Sequence, residues 1–252
     1  ETLVRTVREM LPDEAQALTG REIATRLFDS GIGDDIEAVM YLAGVHVPLV
    51  QVPPRGVWGA AGQAKYVTLE QWARRPADGS AELDAVVVRY LRAFGPAGVM
   101  DFQKWSGLTR CKVAFDRLRE QLLTFRDEDG SELFDLPDAP RPNGETPAPP
   151  RFLGEFDNVL LSHASRRHIV PNGMTPWMDP TQAGRHVNAL LIDGTLSATW
   201  WIERDGKRRA TLVIRPFDRL KAREKREVTA EAEKMVAFAA PDAHATEIRL
   251  EL

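Results

Sequence analysis

Residues 19–58, TGREIATRLFDSGIGDDIEAVMYLAGVHVPLVQVPPRGVW, decide how the first part of the chain folds. Thr19 and Glu22 form the Ser/Thr-x-x-Glu signature in which two side chains satisfy two orphan backbone N–H groups reciprocally, so a helix begins here. Ile23, Ala24, Leu27 and Phe28 then recur at helical spacing. Asp34 or Asp35 caps a further helix over Ile36 to Ala43, and Gly44 ends it. From His46 the period shortens. Val47, Leu49, Val50 and Val52 lead into Pro53-Pro54-Arg55-Gly56, then Val57-Trp58 and Tyr66-Val67-Thr68-Leu69, which predicts a hairpin turned by Pro and Gly. In front of this stretch, Thr2 to Leu11 places Leu3, Val4, Val7 and Leu11 on one helical face. Three helices followed by a hairpin give the winged form of the helix-turn-helix.

The same order returns further on. Leu83 to Phe94 predicts a strong helix stopped by Gly95-Pro96, then Met100 to Trp105 a short one, then Lys112 to Leu122 a longer one capped by Thr109. Leu123 to Arg126 and Glu132 to Phe134, joined through Asp127-Glu128-Asp129-Gly130, predict a second hairpin. Asp135 to Arg151 carries six prolines and little to bury, as a linker does. Beyond it come short strand signals at 159–161, 168–170, 189–192, 198–202 and 210–214, with hairpin turns at Asp193-Gly194 and Asp205-Gly206 and a closing helix from about Thr229 to Ala239. The expectation is an α+β chain: winged-helix modules at 1–78 and 79–136, a linker at 137–151, and a small barrel-like or curled β domain at 152–252.

Composition narrows the classes. A chain of 252 residues with 43% hydrophobic content builds real cores. Cys111 is the single cysteine, which excludes a disulfide framework, and no Cys or His spacing supplies a structural zinc site. No apolar run approaches the roughly 20 residues that cross a bilayer, and no signal-peptide pattern opens the sequence, so the protein reads as cytoplasmic. Because Glu1 starts within an amphipathic pattern without Met, a preceding segment is expected. The net charge of −4 is unlike that of proteins that grip DNA by charge alone, so any positive surface has to be local.

Several segments nonetheless resemble one family. Arg89-Tyr90-Leu91-Arg92-Ala93-Phe94-Gly95-Pro96 with Asp101-Phe102 and Trp105-Ser106-Gly107 is similar to the third winged helix of the bacterial alkylpurine and interstrand-crosslink DNA glycosylases. Phe152 to His163, and Asp193-Gly194 running into Thr199-Trp200, resemble the C-terminal segment of that family, and Pro54 to Trp58 resembles the wing of its second module. The resemblance implies double-stranded DNA as partner, removal of alkylated or crosslinked bases, no cofactor, and a monomer. It also implies a catalytic Gln-x-Gln in a first winged helix, which this sequence does not contain; Gln51-Val52-Pro53 lacks the second Gln. The alternative is a winged-helix transcription regulator without enzymatic activity.

Candidate DNA contacts follow from charge and position. Arg110 and Lys112 stand at the start of the predicted last helix of the second block, with Arg117 and Arg119 further along. The corresponding helix of the first block begins with Asp34, Asp35 and Glu37, which repel phosphate, so that module is expected to serve as scaffold. Ser162 to His168, carrying His163, Arg166 and Arg167, is expected to project as a hairpin tip between two strands, or else to be a solvated loop. From Arg204 to Arg226 ten cations face three acids, and Arg208 and Arg209 are the candidates there; part of this run reads equally as a solvated helix face. His163 and His168 lack a third ligand and read as structural, Cys111 as a packing thiol, and Asp157 as a turn cap or a supporting carboxylate. Trp58, Trp105, Trp177, Trp200 and Trp201 are expected in cores or interfaces.

Overall fold

The computed structural model describes residues 1–11, 16–76, 82–170 and 188–251, and the chain divides into two compact units, Glu1–Ala81 and Glu82–Leu252. The first unit runs α1 (Thr2–Met10), β1 (Leu18–Thr19), α2 (Gly20–Asp29), α3 (Ile36–His46), β2 (Leu49–Val52), β3 (Lys65–Thr68) and α4 (Leu69–Ala73). The capping box is present: Glu22 N–H donates to Thr19 Oγ1 at 3.2 Å and Thr19 N–H to the Glu22 carboxylate at 2.7 Å. The Thr19 N–H and, at 2.8 Å, the Thr19 hydroxyl both donate to the Glu22 carboxylate and hold it below its usual range. Asp35, rather than Asp34, caps α3, through Ala38 N–H at 2.7 Å. The core gathers Val7, Ile23, Leu27, Val39 and Ala43 from the three helices, with Leu11 just after α1. β2 and β3 pair antiparallel and β1 adds to β3, giving a small sheet of order β1-β3-β2. Val57-Trp58 lies in the connecting loop and makes no strand.

The second unit opens with α5 (Leu83–Phe94), α6 (Val99–Ser106), α7 (Lys112–Leu118), a 3₁₀ turn at Arg119–Gln121, and the hairpin β4 (Leu123–Arg126) and β5 (Glu132–Asp135). The expected cap at Thr109 is replaced by Cys111, whose N–H donates to Gln103 Oε1 at 2.9 Å after Arg110 turns through φ +58°. Here the tertiary hydrogen bond from α6 outcompetes a local side-chain cap. Tyr90, Phe102, Phe115 and Phe134 interlock in the core, with Tyr90–Phe102 centroids 5.3 Å apart edge to face.

Downstream lie β6 (Arg151–Phe152), α8 (Asn158–Leu161), β7 (Asn188–Ile192), β8 (Thr195–Asp205), β9 (Arg209–Pro216), α9 (Ala222–Ala239) and β10 (Thr246–Leu250). The five strands form one open sheet, β10-β9-β8-β7-β6, so no barrel closes. β10 runs parallel to β9, which an 18-residue α9 makes possible as the crossover. α9 lays Val228, Ala232 and Val236 on Leu190, Trp200, Leu212 and Ile214. Asp193 and Gly194 take φ +51° and +72°, the two left-handed positions of the tight β7–β8 turn.

Two strand expectations fail. Val159 to Leu161 lies in α8, because Asp157 accepts from Val159 N–H at 2.9 Å and nucleates a helical turn. Residues 168–170 form a turn, with Val170 N–H bonded back to the Arg166 carbonyl at 2.7 Å. A run of three or four apolar residues carries too little periodicity to tell these states apart. The Ser162–His168 segment is therefore a loop between a helical turn and a reverse turn, and the projecting hairpin tip does not exist. Trp177 lies outside the described residues.

Gly95, which ends α5, has no room for a side chain: a Cβ would stand 2.7 Å from the Leu91 carbonyl oxygen and press on the buried Asp135 carboxylate. Gly95→Ala should destabilise the second unit by about 2 kcal/mol, as overpacking does. Gly144→Ala, whose Cβ meets nothing within 4 Å, should change nothing. Urea unfolding followed by circular dichroism would separate the two; equal midpoints would show that the α5 terminus yields.

Candidate functional site

The second unit carries a groove of about 1170 Å³. One wall is the end of α5 and the start of α6, from Phe94 to Asp101. Another is the β4–β5 hairpin around Arg126 to Phe134, and the third is the Ser162–Ile169 loop. Two hydrogen bonds fix that loop. The buried Tyr90 hydroxyl donates to the Ser162 carbonyl at 2.7 Å, and Ala164 N–H donates to Asp101 Oδ1 at 2.8 Å. The other oxygen of Asp101 accepts from Gly98 N–H at 2.7 Å, so a single carboxylate both caps α6 and holds the loop. Burial, reinforced by the nearby Asp101 charge, pushes the Tyr90 phenol far above its usual value and keeps it a donor.

Of the residues expected to touch DNA, His163 and Arg167 line this groove, and Arg166 stands in the same loop. Arg167 pairs with Asp129 at the β4–β5 turn. His163 accepts or donates at 2.8 Å to Ser162 Oγ through Nδ1, and its ring meets His168 edge to face with centroids 5.4 Å apart. Arg110 and Lys112 are exposed at the start of α7 and are not among the lining residues; Lys112 reaches Asp116 at 2.6 Å. Arg117 is bound to Asp84, and Arg119 is held by Glu132 at 2.8 Å over the Phe134 ring. Arg208 and Arg209 flank the β8–β9 turn, paired with Asp205 and Glu247.

The basic run from 204 to 226 is largely neutralised within the fold. Arg204 meets Asp242, Arg215 meets Glu251 at 2.8 Å, Lys221 meets Glu224 at 3.6 Å, and Arg223 meets Glu227 at 2.7 Å. Asp242, Glu247 and Glu251 lie well downstream, in segments whose pairing to β9 the sequence did not announce. Cys111 is fully buried and its thiol pushed up by that burial, as suits packing. Asp157 caps α8. Among the described residues no cluster of His, Cys, Asp and Glu is placed to hold a metal ion, and no helix is long and apolar enough to cross a membrane. Sequence reasoning missed Asp101 as the loop's anchor; its position three residues after Gly98 was the available signal.

His168 is lowered from its usual value, mainly by burial and then by the His163 charge, against a smaller pull from Asp101. Its folded form therefore binds its proton less readily than the unfolded chain, so stability is full above the ordinary histidine value of 6.5 and falls as pH drops through it. His168→Gln should flatten that decline between pH 7 and 5. Denaturation midpoints across this range would check it, and an unchanged decline would place the titrating group elsewhere.

The comparisons with known proteins agree with this architecture. A family model described as DNA glycosylase AlkZ-like matches residues 1–238. The solved structure of Streptomyces sahachiroi DNA glycosylase AlkZ superposes with a TM-score of 0.66, at 21% identity, over 99% of this chain and 68% of that one, a likeness of fold. No curated protein sequence matches. The chain belongs to the AlkZ-like DNA glycosylase family.

Proposed function

We propose that this chain binds double-stranded DNA through two winged helices and forms the DNA-holding part of a glycosylase that acts on alkylated or crosslinked bases. The observation that carries the proposal is the family match along residues 1–238. The element order supports the winged-helix assignment, since α1 to α3 lead into the β2–β3 hairpin and α5 to α7 into β4–β5. The modules are assigned to 1–78 and 79–136, with a linker at 137–151 and a β-rich domain at 152–252. The chain acts as a monomer and needs no cofactor.

Arg110, Lys112, His163, Arg166, Arg167, Arg208 and Arg209 are the proposed phosphate contacts. Several are already paired with carboxylates, yet those pairs are exposed, and exposed pairs contribute little, so phosphate oxygens can replace the carboxylates at small cost. Contacts of this kind position the duplex without reading its sequence.

Binding isotherms on duplexes of unrelated sequence, taken at several salt concentrations, test the proposal. The expected result is an affinity that falls linearly on a log–log salt plot with little sequence preference, and a slope reduced by about two in the double variant Arg166→Gln/Arg167→Gln. Strong preference for one operator would favour the regulator instead, and no affinity at low salt would refute DNA binding. Since Gln-x-Gln occurs nowhere in the 252 residues, the chain should hold a duplex containing a methylated purine without releasing the base. Release would put the chemistry inside this chain.

A further inference from the structure

We infer that Trp58, at the tip of the β2–β3 loop, is a stacking residue that inserts beside an unstacked base step in DNA. The inference rests on the reading of the chain as DNA-binding. Trp58 is 67% exposed and Val57 50%, so two large apolar side chains stand in solvent at adjacent positions of one loop. Of the core or interface position expected for Trp58, this exposure excludes the core. By contrast, Trp200 is 4% exposed and Trp105 37%.

The loop is built to present them. Val57 N–H bonds the Pro54 carbonyl at 3.1 Å and Ala60 N–H bonds the Val57 carbonyl at 3.0 Å, two successive tight turns with Trp58 between the closing residues of the second. Gly56 and Gly59 bracket the tip at φ +88° and +72°, conformations a side chain would strain. Arg55 reaches across to the Gly62 carbonyl at 3.5 Å, and Gly62 lies so close to Pro54 that a Cβ would touch its ring at 3.0 Å.

Charge says what the tip faces. In a chain of net charge −4, no carboxylate occurs between His46 and Glu70, while Arg55 and Lys65 both do. A loop cleared of acids, with a cation three residues from an exposed indole, suits a polyanion whose bases offer flat apolar faces. An aromatic wedge gains most where a base has already lost its neighbour, because there it fills a gap without the cost of unstacking. A protein surface would not require the removal of acids.

The test uses the whole chain and two duplexes of one sequence, fully paired or carrying one tetrahydrofuran abasic analogue. Wild type should favour the abasic duplex, and Trp58→Ala should weaken binding to it about tenfold, with much less change on the paired duplex and the same salt slope. Trp58→Phe should restore most of the preference. Arg55→Gln should instead lower the slope by about one on both duplexes. Because the Trp58 side chain is exposed, its two variants should leave the thermal midpoint nearly unchanged. If wild type binds both duplexes in a salt-dependent way and Trp58→Ala leaves the preference intact, the stacking role is overturned while DNA binding stands. Equal loss on both duplexes, unrescued by Phe, overturns it too. If wild type binds neither duplex, both readings fall.

Discussion

A phenol hydroxyl removed from water must keep a hydrogen-bond partner, and Tyr90 finds one 72 residues away, in the Ser162 carbonyl at 2.7 Å. The ring itself is wedged among Phe94, Phe102 and Trp105, so the hydroxyl cannot turn elsewhere. That bond sets where the loop after α8 begins. Asp101 then holds the loop's third residue to the start of α6, and His163, Arg167 and His168 come to rest along the groove as a result. A polar group buried in the helical core thus determines which surface the later segment exposes.

Charge in this protein is arranged pair by pair. An acidic chain that carries 33 basic side chains has enough carboxylates to meet most of them, and in the second unit some partners lie one helical turn away while others come from distant strands and turns. Arg249 and Glu203 meet at 2.8 Å across β10 and β8 flanks, and Arg215 meets Glu251 beyond the end of β10. Counting cations along a window therefore overstates the positive field, because local acids and acids that the fold brings from β10 and its flanks both meet them. Exposure still leaves such pairs open to exchange with phosphate, and that property, more than net positive charge, is available for holding a backbone.

What was legible in the sequence was what local chemistry fixes. The Thr19–Glu22 box, the Asp35 cap, the stop at Gly95-Pro96, the Asp193-Gly194 turn and the helix of 83–94 each depend on residues within a few positions of one another. What was illegible depended on pairing at a distance. Thr246 to Leu250 is a strand because β9 offers it an edge, and its burial pattern is too slight to advertise it. The same holds for the site: His163 and Arg167 were identifiable as polar residues in a loop, but the loop's shape was misread, because Asp157 turns Val159 to Leu161 into a helix. Trp58, expected in a core or an interface, stands outside the core. Aromatic side chains usually bury themselves, and nothing in its local spacing shows that the turns on either side hold it out.

The third helix of the first unit is poorly made to meet a polyanion. α3 begins after Asp34 and Asp35, carries Glu37 in its first turn, and exposes Tyr41, Leu42 and Val45, with no lysine or arginine along its length. One of the helix-terminal N–H groups that would attract a phosphate, that of Ala38, is already answered by the Asp35 carboxylate. A face of that composition offers a polyanion nothing to neutralise. The β2–β3 loop on the same unit has the opposite make-up, with its carboxylates missing, its cations present and an indole at its tip. Within this unit the β2–β3 loop suits a polyanion better than α3 does, and the helix packs Val39 and Ala43 into the core.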